Sequence, residues 1–450
     1  MLYVEFHSLS HHDYLLQRQL NRKKMVLHLI EPVNRHAGLR REFHVPSLVL
    51  ELLASLTPPD WDVRIIQEPF DSIDFDEEVD LVGITVVTNT ANRAYQIADE
   101  YRKRDKKVIM GGIHPTVLPQ EALDHCDAVC SGEGETVWPE ILQDFKNGRL
   151  RPFYKQERTT NLDDYPLVNH RAIARRRSRF FDIGTIETSR GCPYDCDFCS
   201  VSIIHGRKIR NRPLRPVLQE MEGIDNRILF FVDNNIIANI PYAKQLFREM
   251  MPLRKRWTAQ ATIGIAKDRE LVKLASDSGC FGLLVGLESV VEEGFQKYKK
   301  SMKNLDELKE ALKLLKDYGI SVLATMIFGH DFDTKDTMRR TLDRLLDLDL
   351  IAASLGIMVP YPGTRLAGRL EQQDRLLSKD WSLYDINNLL FKPQNFSCVE
   401  FVEEMQNVRK KYFSLPSVVK RIIRHAGNSI WVGIGLNVAM NVHNEARNSL

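Results

Sequence analysis

Short apolar runs alternate with amphipathic stretches along most of this chain. Residues 25–30, Met-Val-Leu-His-Leu-Ile, form an apolar run of strand length, and Pro32 ends it. Between 47 and 56, Leu48, Leu50, Leu52, Leu53 and Leu56 fall on a largely helical spacing, and Val63, Ile65 and Ile66 mark a second strand over 62–67. A third strand is predicted over 81–87 and a helix over 91–105, and a fourth strand over 107–110 runs straight into Gly111 and Gly112. Strand after helix after strand predicts a parallel, doubly wound, Rossmann-like α/β sheet over 25–146. Ligands of such sheets sit beyond the carboxyl ends of the strands, where short loops offer backbone N–H groups. The loops in that position are 85–90, 111–116 and 131–135, and Gly111, Gly112, Gly132 and Gly134 permit a positive φ or a close ligand approach. The same glycines also suit plain tight turns. No G-x-G-x-x-G follows the first strand, which argues against a nicotinamide site.

Residues 147–180 break the alternation: apolar positions are few, Pro152 and Pro166 intervene, and Arg171, Arg175, Arg176, Arg177 and Arg179 form a basic run. A linker is expected there, its arginines on a solvated face or against a phosphate or carboxylate. From 181 a second series begins. Strands are predicted over 182–188, 228–232, 257–263, 281–287, 321–328 and 353–359, separated by helices over 216–223, 242–251, 269–278, 305–318 and 336–348. Six strands in unbroken alternation with helices predict a partial, TIM-type (β/α)6 parallel barrel over 181–365, with its active face at the carboxyl ends of the strands. Beyond Pro362 the pattern loosens into helices over 399–412 and 418–443 and loops carrying Trp381, Tyr384 and Phe391. Residues 366–450 are therefore expected to form a mostly helical C-terminal cap over the barrel mouth, and residues 1–24 an N-terminal extension.

The 450 residues are 43% hydrophobic and 27% charged, an ordinary globular balance that excludes disorder and fibrous repeats. With 62 basic against 60 acidic residues, no overall field attracts nucleic acid or an anionic membrane, so nucleic acid is not an expected partner and any other must be argued locally. No apolar run is long enough to span a bilayer. The N-terminus is polar, with His11, His12, Arg18, Arg22, Lys23 and Lys24 where a signal peptide would be apolar, so a cytoplasmic protein is expected.

Seven cysteines are too few and too unevenly placed for a secreted disulfide framework. Cys126, Cys130, Cys280 and Cys398 read as small buried core residues. The other three stand as Cys192-Pro-Tyr-Asp-Cys196-Asp-Phe-Cys199, a C-x3-C-x2-C loop directly after the first barrel strand. Three thiolates on one loop serve either a zinc ion that borrows a distant fourth ligand, or a cubane iron–sulfur cluster with one iron left open to chelate a substrate or cofactor.

At these residues the sequence resembles the radical S-adenosylmethionine (SAM) enzymes, whose signature is this spacing with an aromatic residue before the last cysteine, here Phe198. Phe230-Phe-Val-Asp-Asn234, Gly286-Leu-Glu-Ser289 and Pro360-Tyr-Pro-Gly-Thr364 follow in the matching order. The resemblance implies that Cys192, Cys196 and Cys199 hold a [4Fe–4S] cluster whose open iron binds the amino and carboxylate groups of SAM. It further implies that one electron, from a donor such as flavodoxin or ferredoxin, cleaves the sulfonium to a 5′-deoxyadenosyl radical. SAM contacts are implied at Phe198, Asp233 and Glu288, the last facing the ribose or ammonium from a strand end.

The N-terminal loops resemble the cobalamin-binding domain joined to one large class of these enzymes, the class B radical SAM methyltransferases, with Gly111-Gly-Ile-His-Pro-Thr116 and Gly132-Glu-Gly-Glu135 as its recurring turns. Cobalamin contacts are thereby implied at Thr85, Thr88, Asn89, Gly111, Gly112, His114, Gly132, Glu133, Gly134 and Glu135. No D-x-H-x-x-G element occurs, so His114 is not expected on cobalt; it lines the pocket or caps a turn.

With both cofactors, the expected reaction is methylation of an unactivated carbon of a small-molecule or lipid-like substrate, one SAM remethylating cobalt and a second supplying the radical. Similar architecture also serves cyclisation and oxidation, which stay open. A corrinoid- or metal-binding carrier with structural cysteines is the non-enzymatic alternative, while RNA methylthiolation would want additional cysteine sets and a C-terminal β-domain that the chain does not display. The segment 430–440 is apolar on most sides and too short to span a bilayer; it suits a packing helix or the wall of a lipid or tetrapyrrole pocket, with at most a peripheral membrane contact.

Overall fold

The structure, a computed structural model, describes residues 24–34, 47–157, 159–170, 183–298, 302–425 and 437. The predicted N-terminal extension up to residue 23, the basic run of the linker, and the segment 430–440 apart from Asn437 lie outside the described residues.

Strands β1 (Met25–Glu31), β2 (Trp61–Gln67), β3 (Leu81–Thr85), β4 (Lys107–Gly111), β5 (Ala128–Ser131) and β6 (Phe153–Lys155) form one wholly parallel sheet in the order β2-β1-β3-β4-β5-β6. Alternate residues of each strand feed two cores. Leu27 and Leu29 of β1 pack with Leu50 of α1 (Leu48–Leu56), whereas Ile30 packs with Ala94, Ile97 and Ala98 of α2 (Ala91–Arg102) on the other face. Two short helices, α3 (Ile113–Val117) and α4 (Pro119–His125), follow β4, and α5 (Trp138–Lys146) returns Trp138 and Ile141 to the α1 side. The chain moves from β1 to one neighbour and then, through β3, to the other, so the ligand-binding switch point of such a sheet lies beyond the ends of β1 and β3. The expected linker is more ordered than its composition suggests: β6 completes the sheet, and Leu162, Tyr165 and Val168 pack on Leu48 and Leu52 of α1. A three-residue edge strand that buries only Tyr154 leaves no periodicity to read.

After β7 (Ile183–Ile186) the chain forms a short antiparallel pair, β8 (Ser189–Arg190) with β9 (Arg210–Asn211), which encloses the cysteine loop and α6 (Val201–Ile204). There follow α7 (Leu214–Gly223), β10 (Ile228–Phe231), α8 (Ile240–Met250), β11 (Arg256–Ala261), α9 (Arg269–Asp277), β12 (Cys280–Glu288), α10 (Glu292–Tyr298), α11 (Leu305–Asp317), β13 (Ser321–Phe328), α12 (Lys335–Asp347) and β14 (Ala352–Ile357). The six long strands lie side by side in chain order and all parallel, as the alternation predicts for the partial barrel. Asn239, Asp268, Asn304 and Thr334 each accept a hydrogen bond from the backbone N–H three residues on, which sets where the barrel helices begin.

The expected cap divides in two. Residues 365–391, including α13 (Arg365–Gln372), cross the barrel mouth: Ile357 N donates to Ile386 O at 2.7 Å, and Phe391 lies against Gly329 at the end of β13. The same stretch reaches the N-terminal sheet, where Trp381 Nε1 donates to Glu121 at 2.6 Å and Asn34 donates to Ser382 O at 2.8 Å. By contrast α14 (Cys398–Tyr412) flanks the barrel beside α12, with Phe401, Met405 and Tyr412 in the barrel core, and α15 (Leu415–Arg424) follows it. Cys398, expected in a core, opens α14 half-buried; Cys126, Cys130 and Cys280 are buried as expected.

One ion chain ties the two halves. His170 lies between Glu51 of α1, 2.9 Å from Nδ1, and Glu220 of α7, 3.1 Å from Nε2, and Arg212 completes the chain 2.6 Å from Glu220. Burial opposes the imidazolium, but both carboxylates outweigh it and raise the His170 pKa to about 9. Burial likewise raises Glu51 against the pull of His170, whereas Glu220, facing two cations, is held low. A histidine so raised stabilises the fold fully below its ordinary value of 6.5, and the contribution is lost as pH rises through about 9. His170→Gln is therefore expected to cost about 3 kcal/mol at pH 6. The gap in melting temperature between this variant and the parent should narrow steadily as the buffer is taken above pH 9; a gap independent of pH would show that His170 does not titrate in this chain.

Candidate active site

Between the carboxyl edge of the N-terminal sheet and the start of the barrel lies a cavity of about 410 Å³. Thr85, Gly111, Gly112, Gly132, Glu133, Gly134 and Glu135 all line it, from the three loops singled out by the sequence. The opposite wall comes from the barrel side: Glu187, Arg190, His205 and Val232. The cavity also runs down the α1 face of the sheet, past Leu29, Leu53, Ile109 and Trp138. Two glycines make that shape. At Gly83 a Cβ would stand 3.0 Å from the Leu29 side chain and 3.4 Å from the Trp138 ring, so this mid-strand glycine keeps the channel open. At Gly112, φ is +105° and a Cβ would stand 2.7 Å from Val86 O, so only glycine lets the loop after β4 turn this tightly.

Three expected contacts fall elsewhere. Thr88 and Asn89 sit on the turn before α2, outside the lining. His114 is fully buried on the other side of the loop: its Nε2 lies 3.0 Å from the Tyr95 hydroxyl and 3.4 Å from Glu121, and Trp381 meets its ring edge at 5.2 Å. Burial lowers its pKa against the opposing pull of Glu121, so it is a neutral core histidine that neither lines the pocket nor faces a ligand there. Residues 111–113 face the cavity, and α3, which starts at Ile113, carries residue 114 away from it.

The wall nearest the cysteine loop is charged and almost fully paired. Glu133 accepts from Arg210 at 2.6 and 2.8 Å and Thr160 N at 3.0 Å, and stands 2.9 Å from His205 Nδ1 and 3.5 Å from Arg190. Burial alone would raise this carboxyl, but Arg210, His205 and Arg190 prevail and hold it well below the usual range. Arg190 in turn pairs with Glu135 and with Glu187, whose Oε2 is 2.9 Å from its Nε. The Tyr165 ring lies 4.1 Å under the guanidinium of Arg212 and 5.4 Å from that of Arg190. Glu133 and Glu135 thus offer the cavity their backbone more than their charge.

Cys192, Cys196 and Cys199 lie half-buried on the loop between β8 and α6, and none of the seven cysteines is in a disulfide. The loop is held from both sides. On one side Asp195 pairs with Arg365 at 2.9 Å, Asp197 pairs with Arg369 at 3.0 Å, and Leu366 N donates to Asp197 O at 2.9 Å, all from α13. On the other side Asp233, at the end of β10, accepts from Thr188 N at 3.0 Å, Thr188 Oγ1 at 2.7 Å and Ser189 Oγ at 2.5 Å. Burial pushes the Asp233 carboxyl up to about 6 while those hydroxyls restrain it. Wholly buried, it braces the root of the cysteine loop. Phe198 packs edge-on to Tyr298 at 5.9 Å and against the apolar group of Met358, Leu366 and Phe391, which pins the loop to the barrel mouth. Glu288 closes β12 with φ +63° at a register shift against β13, a conformation that a non-glycine residue adopts only where its surroundings enforce it.

The donor sets match the groups the resemblance implies. Three free thiols on one braced loop have the ligand chemistry of an iron–sulfur cluster. The glycine-cut channel beside Trp138 suits a bulky, mostly apolar ligand whose tail enters the domain. Composition alone did not disclose Arg190, His205, Arg210 or Tyr165, whose roles arise from chain crossings. Gly83 did leave a signal, a lone glycine inside an apolar strand. Gly83→Leu should overfill the channel at a cost of roughly 1–3 kcal/mol, weakening cobalamin retention about ten- to hundredfold. Absorbance after desalting measures the corrinoid and iron analysis the cluster; equal loss of both would mean that the substitution unfolds the domain and leave the channel without its assigned ligand.

Residues 186–345 match the radical SAM superfamily, and residues 46–142 the B12 binding domain. The chain is 28% identical over 434 residues to the bacteriochlorophyllide d C-12(1)-methyltransferase of Chlorobaculum tepidum, covering 93% of each chain. It is also 28% identical to the bacteriochlorophyllide d C-8(2)-methyltransferase of the same organism, over 79% of this chain and 82% of that one. Among solved structures, the cobalamin-dependent S-adenosylmethionine radical enzyme OxsB with aqua-cobalamin bound superposes with a TM-score of 0.70, covering 96% of this chain and 72% of that one at 15% identity.

Proposed function

Because this chain belongs to the radical SAM superfamily, with a B12 binding domain ahead of the radical SAM core, we propose that it methylates an unactivated carbon of a small-molecule or lipid-like substrate. The observation that carries this reading is the cavity shared by the two halves, which lies between the glycine loops of the N-terminal sheet and the elements that frame the cysteine loop. Similarity over 93% of both chains to a methyltransferase acting on a bacteriochlorophyllide supports methyl transfer over cyclisation or oxidation and makes an amphipathic tetrapyrrole a leading substrate class.

When bound, the cluster with SAM supplies a radical able to take a hydrogen atom, and cobalamin carries the methyl group. The chain's own contribution is placement. Cys192, Cys196 and Cys199 hold the cluster, and the pairs of Asp195 and Asp197 with α13 keep their loop from shifting as charge changes there. Thr85, Gly111, Gly112, Gly132 and Gly134 would seat the corrinoid at the sheet edge, and the channel past Trp138 and Leu29 would take its tail. Glu288, at the carboxyl end of β12, would be the carboxylate that meets the polar groups of SAM, and the ring of Phe198 anchors the cysteine loop to the barrel mouth. The crossing segment 376–391 keeps water from the barrel mouth, which protects a radical from side reactions. No helix among the described residues is long and apolar enough to cross a membrane, and we place the enzyme in the cytoplasm, where a flavodoxin or ferredoxin supplies the electron.

Replacing Cys192, Cys196 or Cys199 with Ala should each reduce formation of 5′-deoxyadenosine from SAM to background under reducing conditions. Undiminished cleavage by any of the three variants would remove the cluster assignment. With its true substrate, the enzyme should release 5′-deoxyadenosine and S-adenosylhomocysteine together and move label from the SAM methyl into product. 5′-Deoxyadenosine without S-adenosylhomocysteine would point to cyclisation or oxidation.

A further inference from the structure

The last described helix is amphipathic the wrong way round. On α15, Leu415, Val419 and Ile423 recur every fourth residue, hence on one face, and are 75%, 44% and 67% exposed. Its inward face is polar: Arg421 is 2% exposed, with its guanidinium 4.0 Å over the Tyr412 ring, 2.7 Å from Ser417 Oγ and 3.0 Å from Asn437 Oδ1. A surface helix ordinarily buries its apolar stripe, so an outward stripe of three large aliphatic residues marks a docking face.

The charge around that stripe identifies the occupant. No Asp or Glu occurs between residues 405 and 425, whereas Lys410, Lys411, Lys420 and Arg424 all do. Lys410, Lys411 and Lys420 point their side chains to solvent. Asp347, which faces α15 from the end of α12, is already paired with Lys309 at 3.0 Å. A second copy of the same face would bring like charges together, whereas an apolar stripe rimmed by cations is the form in which a helix lies in a lipid interface. We propose that α15 seats this protein peripherally on an anionic lipid bilayer, with Leu415, Val419 and Ile423 in the acyl boundary and the lysines against the headgroups. The seat is independent of methyl transfer, and either can fail without the other.

Flotation of the full-length holoenzyme with phosphatidylcholine vesicles, with and without phosphatidylglycerol, tests this directly. Binding is expected only to the anionic vesicles and should fall as salt is raised. Leu415→Asn with Ile423→Asn should weaken it about tenfold or more, and Lys410→Gln, Lys411→Gln and Lys420→Gln about fivefold each. The melting temperature should hold in all of these variants, because the altered side chains are exposed; iron and corrinoid content should hold too. No flotation on anionic vesicles, or equal flotation on both kinds, would overturn the proposal. So would flotation untouched by the paired Asn substitutions. Self-association seen by sedimentation velocity and abolished by those same substitutions, without flotation, would assign the face to a second copy instead.

Discussion

The carboxylate of Glu133 is the point on which the site depends. It belongs to the loop after β5 in the N-terminal sheet, yet its partners Arg190, His205 and Arg210 lie in β8, after α6 and in β9, on both flanks of the cysteine loop. One buried acid thus holds both ends of the loop against the sheet edge that the cavity uses. A buried ion pair offers little net stability over apolar packing, but removing one partner leaves an uncompensated charge, so the arrangement favours one orientation of the halves over all others. The Tyr165 ring under Arg212, from the segment joining the halves, covers the same junction with apolar surface.

A second closure works from the far side. The C-terminal chain returns through α13 to grip Asp195 and Asp197, crosses the mouth beside Phe391, and hands Trp381 to Glu121 on the N-terminal half. The cysteine loop is therefore fixed by three separate parts of the chain. Loops that must hold a redox centre without moving are built this way, since preorganisation has to come from packing and hydrogen bonds around them. The inverted polarity of α15 lies away from this machinery, on the flank where α14 runs, so the surface proposed to meet a bilayer and the barrel mouth are distinct regions of one molecule.

Among the residues that sequence placed in the site, two polar groups have their direction set by their neighbours. Asp233 follows a strand in the expected motif, and the hydroxyls of Thr188 and Ser189 donate to its carboxylate. His114 sits in the expected turn, but one residue's difference around that turn delivers it to Tyr95 and Glu121. A motif gives residue types and spacing, and the hydrogen-bond partner that captures a side chain comes from a distant part of the chain.

What the sequence by itself determined was periodic or local. Strand and helix alternation specified both parallel sheets and nearly every barrel boundary, because apolar spacing is dictated by which backbone geometry can bury it. The C-x3-C-x2-C spacing marked out the loop between β8 and α6, because three thiolates on so short a stretch of chain can reach one group. The short edge strand β6, the split of the expected cap, and the pairing of Glu133 with Arg190, His205 and Arg210 were decided only in three dimensions. Each depends on segments dozens of residues apart meeting at one place, and no one-dimensional pattern encodes which charges will be buried together once the two sheets close on a common cavity.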